Sequence, residues 1–262
     1  MGKRANLDFA TFLKEDKMKK FLVVSTLVLL VASIASASAL FTALPSGKGE
    51  MGAAISGAQT SNWGQVSDAT STAIGASFTY GLTDSLDLYL GYKTMQSNKL
   101  TAPSPYLPFI PTLAPVALDN TGNQIGGILK YALINELKGA PLSLALGLGI
   151  SAVNTKTTGT VPAAPAIGQP ELKIDLTSNG NVTGLGLVVS KLFIPFVPYG
   201  AVQYMMGKGD FDWTEVDLTV GTALAFSRNW AILAEYNAQS TTPNGGSSYT
   251  SNQIALEVSW SK

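Results

Sequence analysis

The chain has 262 residues, with 17 Lys and Arg balanced by 17 Asp and Glu, and it contains neither cysteine nor histidine. A neutral chain without a basic stretch is a poor partner for nucleic acid, and without cysteine it has no disulfide or thiolate chemistry. The absence of histidine removes the commonest general base and metal ligand, so neither an enzymatic activity nor a cofactor is expected.

The chain opens on a leader. Met18-Lys19-Lys20 precedes an apolar run over 21–34 and then Ala35-Ser36-Ala37-Ser38-Ala39. A basic start, an apolar core and a small-x-small site predict a signal peptide over 18–39, cut after Ala39, with Ala37 as the alternative site. Residues 1–17 lack a usable period and read as an upstream extension, with Met18 as the start of the exported protein. Residues 1–39 hold six of the cations and three of the anions, which leaves 40–262 acidic by three. No later apolar run reaches the length of a spanning helix.

After a lead-in over 40–48, ten segments alternate with period two, the pattern of strands with two unlike faces. The first (49–60) puts Met51, Ala53 and Ile55 on one face. The second (69–80) sets Thr72, Ile74, Ala76, Phe78 and Tyr80 against Ser71, Ala73, Gly75, Ser77 and Thr79, then turns at 81–85. In the third, Leu86, Leu88, Leu90 and Tyr92 oppose Asp87, Tyr89, Gly91 and Lys93. The fourth (124–134) presents Ile125, Leu129, Tyr131 and Leu133 opposite Gln124, Gly126, Ile128 and Lys130. The fifth is the clearest: over 142–152 every even position is apolar and every odd one is Ser, Ala or Gly. The sixth (181–190) sets Thr183, Leu185, Leu187 and Val189 against Val182, Gly184, Gly186 and Val188.

The seventh segment (196–206) leaves its register open, because Pro195 and Pro198 interrupt it. In the eighth (214–226), Val216, Leu218, Val220, Leu224 and Phe226 oppose Glu215, Asp217, Thr219, Gly221 and Ala223. The ninth sets Trp230, Ile232, Ala234 and Tyr236 against Ala231, Leu233, Glu235 and Asn237, and the tenth sets Ile254, Leu256, Val258 and Trp260 against Ala255, Glu257 and Ser259.

Large apolar residues on one face and small or polar ones on the other suit a barrel that faces lipid outside and a lumen inside. An even strand number lets both ends of the chain share one side of the membrane. Links between strands alternate short and long, with long ones over 97–123 and 156–180. Tyr80, Tyr131, Phe226, Trp230 and Trp260 fall at the short-link end, as an aromatic girdle would, and Tyr92 and Tyr236 are candidates for a second girdle. The prediction is an all-β, antiparallel transmembrane barrel of about ten strands over 40–262.

With its leader, the stretch Gly81-Leu-Thr-Asp-Ser-Leu-Asp-Leu-Tyr-Leu-Gly-Tyr92 and its closing strand, the chain resembles small outer-membrane β-barrels of the opacity and OmpA-barrel type over roughly 49–260. The resemblance implies a Gram-negative-type outer membrane, bilayer lipid as surroundings and the barrel-insertion machinery as a partner. That machinery reads a terminal aromatic residue, and here Ser261 and Lys262 follow Trp260, a slight departure. No peptidoglycan-binding domain is expected after the barrel.

The predicted inner face carries Asp87, Lys93, Lys130, Glu215, Asp217, Glu235 and Glu257. One reading pairs the two lysines with carboxylates to stiffen the wall; the other is an acid-biased lining that favours cations. Two lysines cannot neutralise five carboxylates. Glu215 and Asp217 resemble an acid–base couple, but with no partner or pocket in view they read as structural. Gly126, Gly147, Gly149, Gly184 and Gly186 cluster on the same face, either to let the wall curve or to leave room. With Ile128, Val153, Val182 and Val188, they keep a channel for small hydrophobic molecules as an alternative to the leading reading, a structural or porin-like role in passive passage of small solutes. The first long link holds Pro103, Pro105, Pro108, Pro111 and Pro115 among Tyr106, Leu107, Phe109, Ile110 and Leu113, and the second holds Val161-Pro-Ala-Ala-Pro-Ala-Ile167. Apolar loops of this kind offer a third class, surface attachment, through Tyr106, Phe109 and Ile110.

Overall fold

The computed structural model describes residues 42–62, 70–102, 116–161, 172–209, 212–244 and 248–262. Ten antiparallel strands close into one barrel: β1 Met51–Asn62, β2 Thr70–Gly81, β3 Leu86–Ala102, β4 Val116–Ile134, β5 Ser143–Val161, β6 Leu172–Ser190, β7 Phe196–Gly209, β8 Trp213–Ala225, β9 Trp230–Pro243 and β10 Tyr249–Ser261. Each strand pairs with its neighbour in sequence, and β1 pairs with β10 from Gly52↔Ser261 to Asn62↔Ser251. Closure leaves no open edge, so the backbone groups of the spanning region are satisfied within the barrel. Among the described residues no helix is long and apolar enough to cross a membrane; the crossing elements are strands.

The alternation decides which side chains meet the outside. Ile55, Ile74, Leu90, Ile125, Leu148, Ile150, Leu185, Leu218, Val220 and Ile254 are exposed, while their inward neighbours on the same strands are buried or half-buried. An apolar surface that continues around the whole wall is far larger than a water-soluble protein carries, and hydrocarbon is its natural solvent. Tyr80, Tyr131 and Trp230 are exposed near the short turns, and Phe193 and Phe196, bridged across the β6–β7 turn, join them. Farther along the wall, Tyr92 and Tyr236 are exposed and donate hydroxyl bonds to Asn123 Oδ1 (3.1 Å) and Asn252 Oδ1 (2.8 Å).

The turn end is formed by the residues 82–85, 135–142, 191–195 and 226–229 together with the start of β1 and the end of β10. In the second of these turns a short 3-10 helix, Glu136–Lys138, is capped by Asn135, whose side chain accepts from the Leu137 N–H, and is ended by Gly139 at φ 94°. Glu136 reaches the next turn, where the Lys191 ammonium and the Leu192 N–H (2.8 Å) hold its carboxyl below the usual range.

Two expectations change. The long links are much shorter than the sequence implies, because β3 runs on to Ala102, β4 begins at Val116, β5 runs on to Val161 and β6 begins at Leu172. In β5 the extension is Thr-rich, as in Thr155-Lys156-Thr157-Thr158, and has no apolar period, whereas in β6 the alternation continues through Leu172, Ile174 and Leu176. Lys156–Asp175 (3.1 Å) and Asn154–Asn179 (2.6 Å) join β5 to β6 there. The seventh strand also acquires a definite register: Val197, Tyr199, Ala201, Gln203 and Met205 turn inward. Pro198 fits because it lies at the last rung beside β6. Its carbonyl accepts from the Lys191 N–H (3.1 Å), and the missing N–H falls where that ladder ends.

Candidate functional site

The inner face divides into a floor at the turn end and a chamber above it. The floor is built around Lys130 on β4 and Asp87 on β3, which register places directly opposite each other. Both are buried, and Lys130 Nζ lies 3.2 Å from Asp87 Oδ2. The ammonium also donates to Tyr89 Oη (2.7 Å) and to the main-chain carbonyls of Thr42 (3.0 Å) and Leu44 (2.8 Å). Those carbonyls belong to the lead-in before β1, which therefore crosses the mouth of the barrel. Asp87 completes the lock by accepting from the Ser46 N–H at 3.1 Å through both oxygens. A buried ion pair is tolerable only when its remaining hydrogen-bonding capacity is used, and here the lead-in backbone supplies it.

Apolar contacts seal the rest of the floor. Ala43 is fully buried against Ala145 and Val188, and its N–H donates to Ser190 Oγ (3.1 Å). Leu44 packs beside Val197, Tyr199, Ala223 and Leu233. Tyr199 donates its hydroxyl to Glu235 Oε1 (2.6 Å). Its ring lies over Gly221, where a Cβ would come within 2.6 Å of Tyr199 Cζ. The glycine is the slot that the tyrosine fills. At the end of β2, Gly81 has the same role for the lead-in, since a Cβ there would meet the Gly47 carbonyl at 1.8 Å.

Above the floor lies a chamber of about 370 Å³ with two unlike walls. On β4, β5 and β6 it is lined by Gly126, Gly149, Gly184, Ile128 and Val182. On the other side stand Glu215, Asp217, Asn237, Gln239 and Gln253, with Lys93 on β3 and Trp213 toward the loop end. The glycines are not all spare room: a Cβ on Gly126 would meet Ser151 Cβ at 2.4 Å, and one on Gly149 would meet Ile128 Cγ1 at 2.9 Å. They let the wall lie flat and close. Lys93 feels the charges of Glu215 and Asp217 across this space, while Glu215 accepts from Thr241 Oγ1.

The structure thus separates the seven charged residues singled out in the sequence. Asp87 and Lys130 meet in the floor. Lys93, Glu215 and Asp217 meet in the chamber. Glu235 and Glu257 are buried in the wall between, Glu235 with Tyr199 and Glu257 with neither carboxylate oxygen hydrogen-bonded among the described residues. Tyr106, Phe109 and Ile110 lie outside the described residues. The lead-in as a floor, the Tyr199–Gly221 fit and the place of Gln203 and Met205 on the wall were not expected from sequence. For the lead-in the only signal was Gly47-Lys48-Gly49, a turn just ahead of the first strand.

No protein-family model and no curated protein matches the sequence. Among solved structures, the translocator domain of autotransporter NalP from Neisseria meningitidis aligns over 82% of this chain and 88% of its own, at 14% identity and a TM-score of 0.52. The beta domain of the Bordetella autotransporter BrkA aligns over 81% and 99%, at 10% identity and a TM-score of 0.50. The COG4313 outer membrane channel from Pseudomonas putida F1 aligns over 87% and 100%, at 12% identity, with a lower TM-score of 0.44. At these identities the likeness is one of fold. The chain's own register, with the fold it shares with the two autotransporter domains, makes it a closed, ten-stranded, antiparallel β-barrel with an apolar outer wall.

Proposed function

We propose that the protein is a porin-like, non-enzymatic barrel of a Gram-negative-type outer membrane, which admits small polar solutes from the loop side and is closed toward the periplasm by its own lead-in. The short turns, the start of β1 and the end of β10 share one end, the arrangement that puts that end in the periplasm. The observation that carries the reading is the chamber of about 370 Å³, with charged and amide groups on one wall and an apolar wall opposite, standing on a floor held by Lys130 and the carbonyls of Thr42 and Leu44. The floor is a segment rather than a wall, and a segment can be withdrawn. The charged and amide groups on the β8–β10 side of the chamber favour solutes with polar ends, and the β4–β6 wall accommodates their apolar parts. Attachment through Tyr106, Phe109 and Ile110 is a separate proposal for the loops.

Conductance in planar bilayers tests the reading. The intact barrel should show little steady current, and deletion of 42–46 should raise it many-fold. Leu44→Gly keeps the segment but removes its apolar contact, and should give intermittent opening. Current that stays flat in both variants, with gel migration showing folded barrel, would overturn passage and leave a structural role.

A further inference from the structure

We propose that the chamber is a binding site for small zwitterions, molecules of amino-acid type that carry one ammonium and one carboxylate. The inference rests on the small-solute reading and names the class of solute. On β8, Asp217 and Thr219 face inward in succession, and Asn237 of β9 stands opposite Thr219 in register. All three are more than nine-tenths buried. Asp217 Oδ1, Thr219 Oγ1 and Asn237 Oδ1 have no hydrogen-bond partner among the described residues. Two of these oxygens, on the Asp217 carboxylate and the Asn237 amide, are acceptors on the chamber lining and suit a donor that carries positive charge, while the Thr219 hydroxyl beside them can donate or accept. Buried acceptors left unmatched are costly, so the two that face one chamber point to a guest there.

The other half of the site is Lys93. It lines the same chamber and senses the charges of Glu215 and Asp217, yet forms no ion pair or hydrogen bond among the described residues. Cation and carboxylates thus face each other across a gap that they do not close. A plain cation would satisfy the β8–β9 oxygens but be repelled by Lys93, and a plain anion would meet the reverse. Only a molecule with both charges neutralises both walls, and its apolar part then lies against the flat wall at Gly149 and Gly184.

The test titrates the folded, full-length barrel in micelles with leucine, leucinamide and N-acetylleucine, which share a body and differ in charge. Binding is read by calorimetry or by tryptophan fluorescence. Leucine should bind at least tenfold more tightly than either analogue. Lys93→Met should abolish the preference over leucinamide, Lys93→Arg should keep it, and Asp217→Asn should abolish the preference over N-acetylleucine. Leucinamide binding as well as leucine, preferences unmoved by both substitutions, or no binding of any probe would each overturn the proposal. Binding is measured with the floor shut, so it stands apart from conductance. Loss of binding with current retained leaves a general pore, and binding without current leaves a receptor cup.

Discussion

Gly221 and Tyr199 show how one position can fix another. The ring occupies space that any side chain at 221 would take, and from there its hydroxyl reaches Glu235. Gly221→Ala should therefore destabilise the barrel by about 1–3 kcal/mol through overpacking. In a double-mutant cycle with Tyr199→Ala, the coupling should be about 0.5–3 kcal/mol. Purely additive costs, measured by denaturant unfolding in micelles, would show that the two do not share that space. That both residues matter was hidden in the sequence. The period-two pattern of β8 says that Gly221 faces inward, but not whether the room beside it is filled. Only the cross-strand pairing Tyr199↔Gly221 tells. The same holds for Gly149 under Ile128, where tight contact replaces the open space that an inward glycine suggests.

Among the elements, the lead-in is the one whose role alternation could not reveal. It has no period, and its partners are remote in sequence: Ser46 meets Asp87, and Thr42 and Leu44 meet Lys130. The strands from β1 to β6 and from β8 to β10 were legible across the membrane because lipid imposes one apolar face. Outside the membrane that demand lapses, so the Thr-rich end of β5 carried no readable signal, while Leu172, Ile174 and Leu176 at the start of β6 alternate and could have extended that strand. The lock in the floor has a measurable signature. Lys130→Met leaves the Asp87 carboxylate buried without its cation and should cost about 3–5 kcal/mol. Lys130→Met combined with Asp87→Leu should cost less than the single change, since no charge is then stranded. A double variant that unfolds as readily as the single one would mean that Lys130 acts chiefly through Thr42 and Leu44.

For the whole molecule, closure through β1 and β10 is the property that matters most. A sheet without edges should resist dodecyl sulfate, so the unboiled protein should migrate differently on gels from the boiled one. Leu148→Arg, on the lipid face and 57% exposed, should weaken this resistance, as a charge near the bilayer midplane costs about 2–4 kcal/mol. Identical migration before and after boiling would argue against a closed barrel.

The lead-in also has a mechanical meaning. It leaves the foot of β1 and is anchored at β3, β4 and β6, so it runs as a tie-rod across the circular opening. A hollow cylinder squeezed from the side by surrounding lipid flattens first where its wall is thinnest, and the wall of β4 to β6 is rich in glycine. The rod holds the cross-section round at one rim while the other rim has no such brace among the described residues. Lateral pressure is therefore taken up at the loop end, where the shape of the mouth can yield while the floor does not.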